Sequence, residues 1–285
     1  MSLQFETLPR PVRAYVIGVS AIGIIVAFHS LAQLLLQHVD LQWLILAALT
    51  LLTGTFTVRI PGVRARLSVS DTFVFASVML FGPAAGTITA LLDALIISLR
   101  LGHHAREPFR VIFNVATAAL STKISGYLFF AVSGVPPYSI ANTPLSQILF
   151  PLFLFTLSYF LLNSWLVAFA LALEQQKSPL VIWRENFLWL SVNYFGGGSV
   201  AGLLVTYTKE INFTTLGIIV PLLLISYLTF KTSLGRIEDA NEHLMHVNKM
   251  YLSTIETLAM AIDAKDQITH GHIRRVQRYA VGLAR

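Results

Sequence analysis

Long uninterrupted apolar runs dominate the chain and determine its predicted secondary structure. A helix needs about 20 apolar residues to cross the hydrocarbon core of a bilayer. Six runs approach or exceed that length, at residues 12–35, 41–58, 109–132, 147–173, 187–207 and 213–230. A membrane β-barrel would instead alternate apolar and polar positions over short segments. The predicted fold class is therefore all-α, a polytopic helical membrane protein.

The stretch Ser70–Leu99 has a different pattern, because it is too long for one untilted helix and too short for two full crossings. Gly82 and Pro83 interrupt it near the middle. Glycine permits a tight turn there, and proline removes a backbone donor. We expect this stretch to form two short helices or a re-entrant hairpin that reverses at residues 81–83.

Positive charges in the loops predict the orientation in the membrane, since cytoplasmic loops carry an excess of Lys and Arg. Arginines flank the first run, follow the second run and follow the broken stretch: Arg10, Arg13, Arg59, Arg64, Arg66, Arg100, Arg106 and Arg110. All three clusters can face the cytoplasm only if the broken stretch leaves the membrane on the side where it enters. The uncharged loop 134–146 then lies outside. The topology has about eight passages, with both termini in the cytoplasm.

Composition narrows the possible functions. Only 12% of the residues are charged, against about 25% in soluble domains. The chain has no Cys, which excludes disulfides, thiolate nucleophiles and Cys-ligated metal sites. The net charge of +6 is what loop arginines of a membrane protein produce. The lipid bilayer is therefore the expected partner, and a nucleic acid polymer is not.

Polar residues within the apolar runs are the candidates for a site in the membrane. Asp93 and Lys123 each fall near the middle of a run, where an unpaired charge costs at least about 2.5–3.5 kcal/mol. One interpretation is an Asp93–Lys123 ion pair between neighbouring helices. The other is a ligand or proton site built on these residues and Asn114. Buried amides such as Asn114, Asn163 and Asn193 usually form hydrogen bonds across helices.

The composition changes abruptly after residue 230, where charged residues alternate with apolar residues at helical spacing. Two sets of positions recur every seven residues: Ile237, Leu244, Tyr251 and Leu258, and Ala240, Val247, Thr254 and Ala261. This repeat predicts a parallel coiled-coil linker, in which Thr254 and Ala261 are too small or polar to hold a dimer by themselves. The alternative is an amphipathic helix that packs on its own domain. The predicted domains are a membrane sensory or anchor domain at 1–232, a helical linker at 233–254 and the start of a further all-α domain at 255–285.

The last segment resembles the opening of an HD-GYP domain, a family of metal-dependent phosphodiesterases that degrade cyclic di-GMP. The matching positions are Asp266, Thr269, Gly271, His272, Arg275, Val276, Tyr279, Ala280, Leu283 and Ala284. The resemblance implies that His272 is a metal ligand and that Asp266, Thr269, Gly271 and Arg275 support the motif. It also implies a divalent metal pair, iron or manganese, a homodimer through the linker and this domain, and cyclic di-GMP as the substrate.

The resemblance extends only over residues 255–285, so the later histidines and the Gly-Tyr-Pro signature of that family are absent. One histidine cannot assemble a metal pair that activates water. The expectation is therefore that this chain alone is not an active phosphodiesterase and holds no assembled metal centre. The resemblance implies instead a fragment of a longer protein whose full form carries that activity.

The membrane part is similar to the multi-span input regions of bacterial HD-GYP and GGDEF proteins. The similar residues are Leu-Ser-Val-Ser-Asp at 67–71, Phe-Gly-Pro-Ala-Ala-Gly at 81–86 and Arg-Val-Ile-Phe-Asn at 110–114. The expected function is a signalling protein of the bacterial inner membrane whose enzymatic output is regulated by a membrane sensor. The alternative is a vitamin-like transporter or its substrate-binding subunit, because residues 81–86 are similar to energy-coupling-factor transporters. A domain that only anchors the chain is a third possibility.

Overall fold

The computed structural model describes two separate units of the chain, Met1–Phe230 and Lys231–Arg285. The described residues are 5, 8–36, 40, 42–54, 57–59, 66–68, 70–100, 107–137, 139–188, 190–207, 232, 239, 242–261 and 272–283. The first unit contains seven helices within these residues: α1 Arg10–Leu36, α2 Gln42–Thr53, α3 Ser70–Arg100, α4 Pro108–Ser133, α5 Leu145–Gln175, α6 Pro179–Asn186 and α7 Leu190–Tyr207. Two three-residue strands, β1 Thr57–Arg59 and β2 Arg66–Ser68, pair antiparallel between α2 and α3. The described fold is thus almost entirely helical, as predicted.

The element α3 is a helical hairpin rather than one straight helix. Gly82 has φ 91° and ψ 172°, outside the helical region, and Pro83 follows it. The hydroxyls of Ser77 and Thr89 lie 3.0 Å apart, although residues twelve apart in a straight helix are separated by about 18 Å. Two arms, 70–81 and 83–100, therefore run antiparallel. This confirms the reversal predicted at residues 81–83.

The hairpin forms the centre of the membrane unit. Phe73, Phe75, Val78 and Met79 of its first arm are fully buried. The two arms approach so closely that a Cβ on Gly86 would collide with Val78, whose Cα would lie 2.9 Å away. The first arm is about 18 Å long at 1.5 Å per residue. Since the hydrocarbon core is about 30 Å thick, this arm is a partial passage.

Glycines and small residues hold the neighbouring helices against the hairpin. A Cβ on Gly126 of α4 would lie 3.1 Å from Pro83 at the hairpin turn. A Cβ on Gly23 of α1 would collide with Ala116 of α4. Small residues at such positions allow helices to approach closely in a membrane, where the hydrophobic effect gives little attraction between helices. The hairpin is therefore enclosed by tightly packed helices.

Four of the described helices are long and apolar enough to cross a membrane, namely α1, α3, α4 and α5. The bent pair of α6 and α7, which turns by 60°, can supply a fifth crossing. In this count α3 is one candidate span by length and composition, although the chain reverses direction at Gly82. On the outside of α1, the side chains of Ile25, Phe28 and Leu35 are more than 60% exposed. Such a surface fits contact with lipid chains.

Two of the predicted passages differ from the structure or fall outside it. The second run was predicted to be helical to residue 58, but α2 ends at Thr53 and strand β1 begins at Thr57. The hydroxyls of Thr50 and Thr53 bond to carbonyl groups of the last turns of α2, and Gly54 then ends the helix. A β-branched residue pair, Thr57 and Val58, favours the strand that follows. The predicted passage 213–230 lies outside the described residues.

The second unit is described at residues 232, 239, 242–261 and 272–283. Residues 242–261 form a helix, named α8 here, and α9 spans His272–Leu283. The predicted heptad residues Leu244, Tyr251 and Leu258 are each at least 60% exposed. Ile237 and Ala240 of the same repeat lie outside the described residues. The apolar seam of α8 is therefore open to a partner.

Candidate functional site

The predicted Asp93–Lys123 ion pair is wrong, because the structure gives the two residues different partners. Asp93 Oδ2 accepts a hydrogen bond of 2.8 Å from Ser70 Oγ, across the base of the hairpin. Lys123 Nζ donates to Gln33 Oε1 of α1 at 2.6 Å. Among the described residues, only Arg110 forms ion pairs, with Glu107 and Glu174. Asp93 and Lys123 thus belong to two different polar sites.

Asp93 lies in a closely packed position at the base of the hairpin. The residue is 6% exposed, and its Oδ1 has no hydrogen-bond partner within the described part of the chain. This oxygen faces the backbone of Gly54, where any Cβ would collide with it. An acceptor oxygen buried without a donor costs about 1–3 kcal/mol. The site therefore keeps a buried acceptor that no described residue satisfies.

A second carboxylate, Asp71, lies near Asp93 on the other arm of the hairpin. Asp71 Oδ2 accepts a hydrogen bond of 3.0 Å from Asn193 Nδ2 of α7. Ser70, which precedes Asp71 in the chain, donates to Asp93, and this bond brings the two carboxyl groups to the same end of the hairpin. Within the described residues, no Lys, Arg or His forms an ion pair with either of them. The base of the hairpin therefore brings together two carboxyl groups that no described cation balances.

Aromatic and amide groups of α5 and α7 complete this site. Asn163 Nδ2 of α5 donates to the hydroxyl of Tyr194 at 3.1 Å. Tyr194 packs edge-on against Tyr159, with the ring centroids 5.3 Å apart. Both tyrosines are buried. We name the group Ser70, Asp71, Asp93, Asn193 and Tyr194 the hairpin-base cluster.

The three asparagines in the apolar runs form hydrogen bonds between helices, but Asn114 is not grouped with Lys123 as one prediction had it. Asn163 and Asn193 form hydrogen bonds between helices, as predicted for buried amides. Asn114 also does so, since its Nδ2 lies 3.3 Å from Ser98 Oγ of the second hairpin arm. Asn114 is thus a contact between α4 and the hairpin. The described contacts do not place it with Lys123.

Asp71 was not among the predicted site residues, because it lies at the edge of its apolar stretch. A signal was nevertheless present. Asp71 and Asp93 are each eleven residues from Gly82. A hairpin that reverses at Gly82 brings positions at equal distances from the turn to the same depth. The predicted reversal at Gly82 would therefore have been enough to predict that Asp71 and Asp93 lie at the same end of the hairpin.

The predicted C-terminal site is only partly covered by the structure. Asp266, Thr269 and Gly271 lie outside the described residues. His272 begins α9, and its side chain is also outside the description. Arg275 is exposed. The described residues contain no group of three or more His, Asp or Glu side chains that could hold a metal ion.

A bundle of apolar helices around a buried polar hairpin defines a helical membrane domain with a site inside it. The chain belongs to the MASE9 family of membrane-associated sensory domains, whose family model matches residues 23–234. This match covers about three-quarters of the chain and includes the whole hairpin-base cluster. No curated protein and no solved structure is significantly similar to the chain. The protein is thus a membrane protein with a sensory domain.

The identification with the HD-GYP family is wrong. The matching family is MASE9, and the comparisons give no evidence for an HD-GYP domain. The earlier resemblance rested on residues 255–285, and Val276, Tyr279, Ala280 and Leu283 among its matches have the spacing of any amphipathic helix. The predictions of a metal pair and of cyclic di-GMP as the substrate depended on that resemblance and are no longer supported. The comparisons also give no support to the transporter alternative.

Proposed function

We propose that the protein is a multi-pass sensor of the bacterial cytoplasmic membrane. In this proposal the hairpin-base cluster detects a change, and α8 passes that change to the cytoplasm. The family match over residues 23–234 carries the proposal, because it assigns the membrane unit to a sensory family. A domain that only anchors the chain would not need the buried Asp93 and the half-buried Asp71 beside it, since carboxyl groups are costly in a membrane and usually mark a functional site.

The cluster has the properties of a two-state element. Binding of a proton or a cation at Asp71 or Asp93 would change which of the hydrogen bonds to Ser70 and Asn193 are favourable. Those bonds join the two hairpin arms to each other and to α7. A stimulus can shift an equilibrium only as far as its interaction free energy differs between the two states. Oδ1 of Asp93, which accepts no hydrogen bond from the described residues, would supply such a difference.

The topology gives the first prediction. Because the chain has no Cys, single cysteines report their own accessibility. We expect a Ser139→Cys variant to react with a membrane-impermeant maleimide in intact spheroplasts, since this residue lies in the uncharged loop after α4. A Lys177→Cys variant at the end of α5 should react only after the membrane is opened. Equal labelling of both in intact spheroplasts would contradict the placement of these two positions on opposite sides of the membrane.

The linker gives a second prediction. If α8 forms a parallel homodimer, the apolar residues that recur every seven positions, such as Tyr251, face each other across the dimer. The opposite face of α8 then stays in water. We expect a Tyr251→Cys variant to form a disulfide-linked dimer in native membranes under mild oxidation. A Lys249→Cys variant on the opposite face of α8 is the matched control and should form several-fold less dimer. Equal yields at both positions would indicate random collision and would overturn the dimer.

A further inference from the structure

Lys123 is a cation in the membrane without a described anion to balance it. The residue is 6% exposed and lies in the interior of α4 (Pro108–Ser133). Its Nζ donates to Gln33 Oε1 and lies 5.2 Å from the ring centroid of Tyr127. A lysine ammonium has three donors, and the described residues accept one. No carboxylate of the described residues forms an ion pair with it.

The two side chains that hold Lys123 also line a cleft. This cleft, of about 540 Å³, lies at the turn of the hairpin and is named the tip cleft here. Its lining includes Gln33, Phe81, Pro83, Tyr127, Phe130 and Pro137. Tyr127 is 48% exposed, so one wall of the site is accessible. A volume in this range suits a small-molecule ligand.

The composition of the tip cleft selects the chemical class of the ligand. Its walls are mainly proline and phenylalanine, and the loop 134–146 that contributes Pro136 and Pro137 has no charged residue. Gln33 and Tyr127 are the polar lining residues, and both contact Lys123. An apolar chamber whose two polar wall residues contact a buried cation directly behind them matches a molecule with one negative group and an apolar tail. A fully apolar ligand would leave the ammonium without a counter-charge.

We propose that the tip cleft binds a single-chain lipophilic carboxylate, such as a medium-chain fatty acid, with its carboxylate at Lys123 Nζ and its tail against Phe81 and Phe130. The carboxylate would take a donor of Lys123 that the described residues leave unused. Gln33 and Tyr127 would orient the ammonium toward it. This site lies at the turn of the hairpin, whereas Asp93 lies ten residues beyond Pro83. The binding claim is independent of the relay through α8.

The test measures equilibrium binding of radiolabelled dodecanoate to the full chain in nanodiscs of phosphatidylcholine. We expect saturable binding, and a loss of affinity of roughly ten-fold or more in a Lys123→Met variant, because a charge-assisted contact is removed. The matched control, Lys177→Met, removes an exposed lysine and should bind as the parent chain does. Dodecanol, which has the same tail without the charge, should compete weakly. Equal affinity of the parent and Lys123→Met for dodecanoate, or equal competition by dodecanol, would overturn the proposal.

A second measurement covers the possibility that Lys123→Met alters the fold. A fatty acid with a terminal diazirine should photolabel peptides that contain residues 81–84 or 127–137, and excess dodecanoate should prevent this. Labelling spread over the lipid-exposed face of α1 would overturn the assignment. Binding should also persist in nanodiscs that contain phosphatidylglycerol. Its loss there would show that Lys123 holds a phospholipid headgroup, and would overturn a single-chain ligand.

Discussion

A Gly86→Leu variant should be markedly less stable than the parent chain. Even a Cβ at this position would collide with Val78 on the other arm, and the Val78 Cα at 2.9 Å cannot yield without moving backbone. Overpacking of this kind costs about 3 kcal/mol. For a domain of this size that corresponds to a fall of roughly 6–12 °C in the apparent midpoint of thermal unfolding. Thermal unfolding in mild detergent, followed by circular dichroism, measures it.

The matched control is Gly18→Leu in α1. A Cβ at Gly18 has no atom within 4 Å, and the position is exposed. We expect its midpoint to equal that of the parent or to rise slightly, since leucine is a better helix former than glycine. If both variants fell equally, the loss would come from leucine in any helix, and the close contact of the hairpin arms would be refuted.

An Asp93→Asn variant should be more stable than the parent, although it changes a residue at the centre of the site. The amide has the same shape, and its oxygen can still accept the hydrogen bond from Ser70. It also removes a carboxylate that no described cation balances. Functional sites often reduce stability in this way, and we expect a gain of about 1 kcal/mol. The midpoint of thermal unfolding should then rise by roughly 2–4 °C.

An Asp40→Asn variant is the control for loss of a negative charge outside the site. Asp40 is exposed and caps the start of α2 through the backbone N–H of Gln42. Its replacement should leave the midpoint nearly unchanged, because asparagine caps a helix about as well as aspartate does. A marked fall for Asp93→Asn would mean that the carboxylate itself holds the hairpin together. It would contradict the interpretation that the Asp93 carboxylate reduces the stability of the fold and is kept for its function.

The sequence was sufficient to predict the hairpin. Gly82 and Pro83 marked the turn, and the arginines on both sides required the chain to return to the side from which it came. These signals are local or depend only on the order of charges along the chain. They need no knowledge of how the helices rotate against one another, which explains why the reversal at Gly82 could be predicted from them.

The partners of the polar residues could not be predicted in the same way. The pairing of Asp93 with Lys123 assumed that charges of opposite sign meet, but depth and rotation of the helices decide which side chains touch. In the structure the partner of Asp93 is Ser70 on the same hairpin, and that of Lys123 is Gln33, ninety residues away in sequence. Helix rotation is set by close contacts such as that of Gly23 with Ala116. An apolar pattern on all sides of a helix does not reveal them.

The C-terminal prediction failed for a different reason. Several of the matching positions were apolar residues at helical spacing, which any amphipathic helix shows. Only the few polar matches were specific to the HD-GYP motif. The membrane segment contained the more extensive signal, since the family match extends over residues 23–234. The resemblance of the membrane segment to multi-span input regions of signalling proteins is consistent with its match to a sensory family.

The central claim is that the hairpin-base cluster controls the packing of α8. Its most direct test is the yield of disulfide-linked dimer from Tyr251→Cys in native membranes, measured with Asp93 intact and in the Asp93→Asn background. Coupling between two sites is typically worth about 1–3 kcal/mol, which is a five-fold or larger change in an equilibrium. We predict a shift in dimer yield of that order, with no shift for Lys249→Cys. Equal yields of the Tyr251→Cys dimer in the two backgrounds, in correctly inserted protein, would contradict the account.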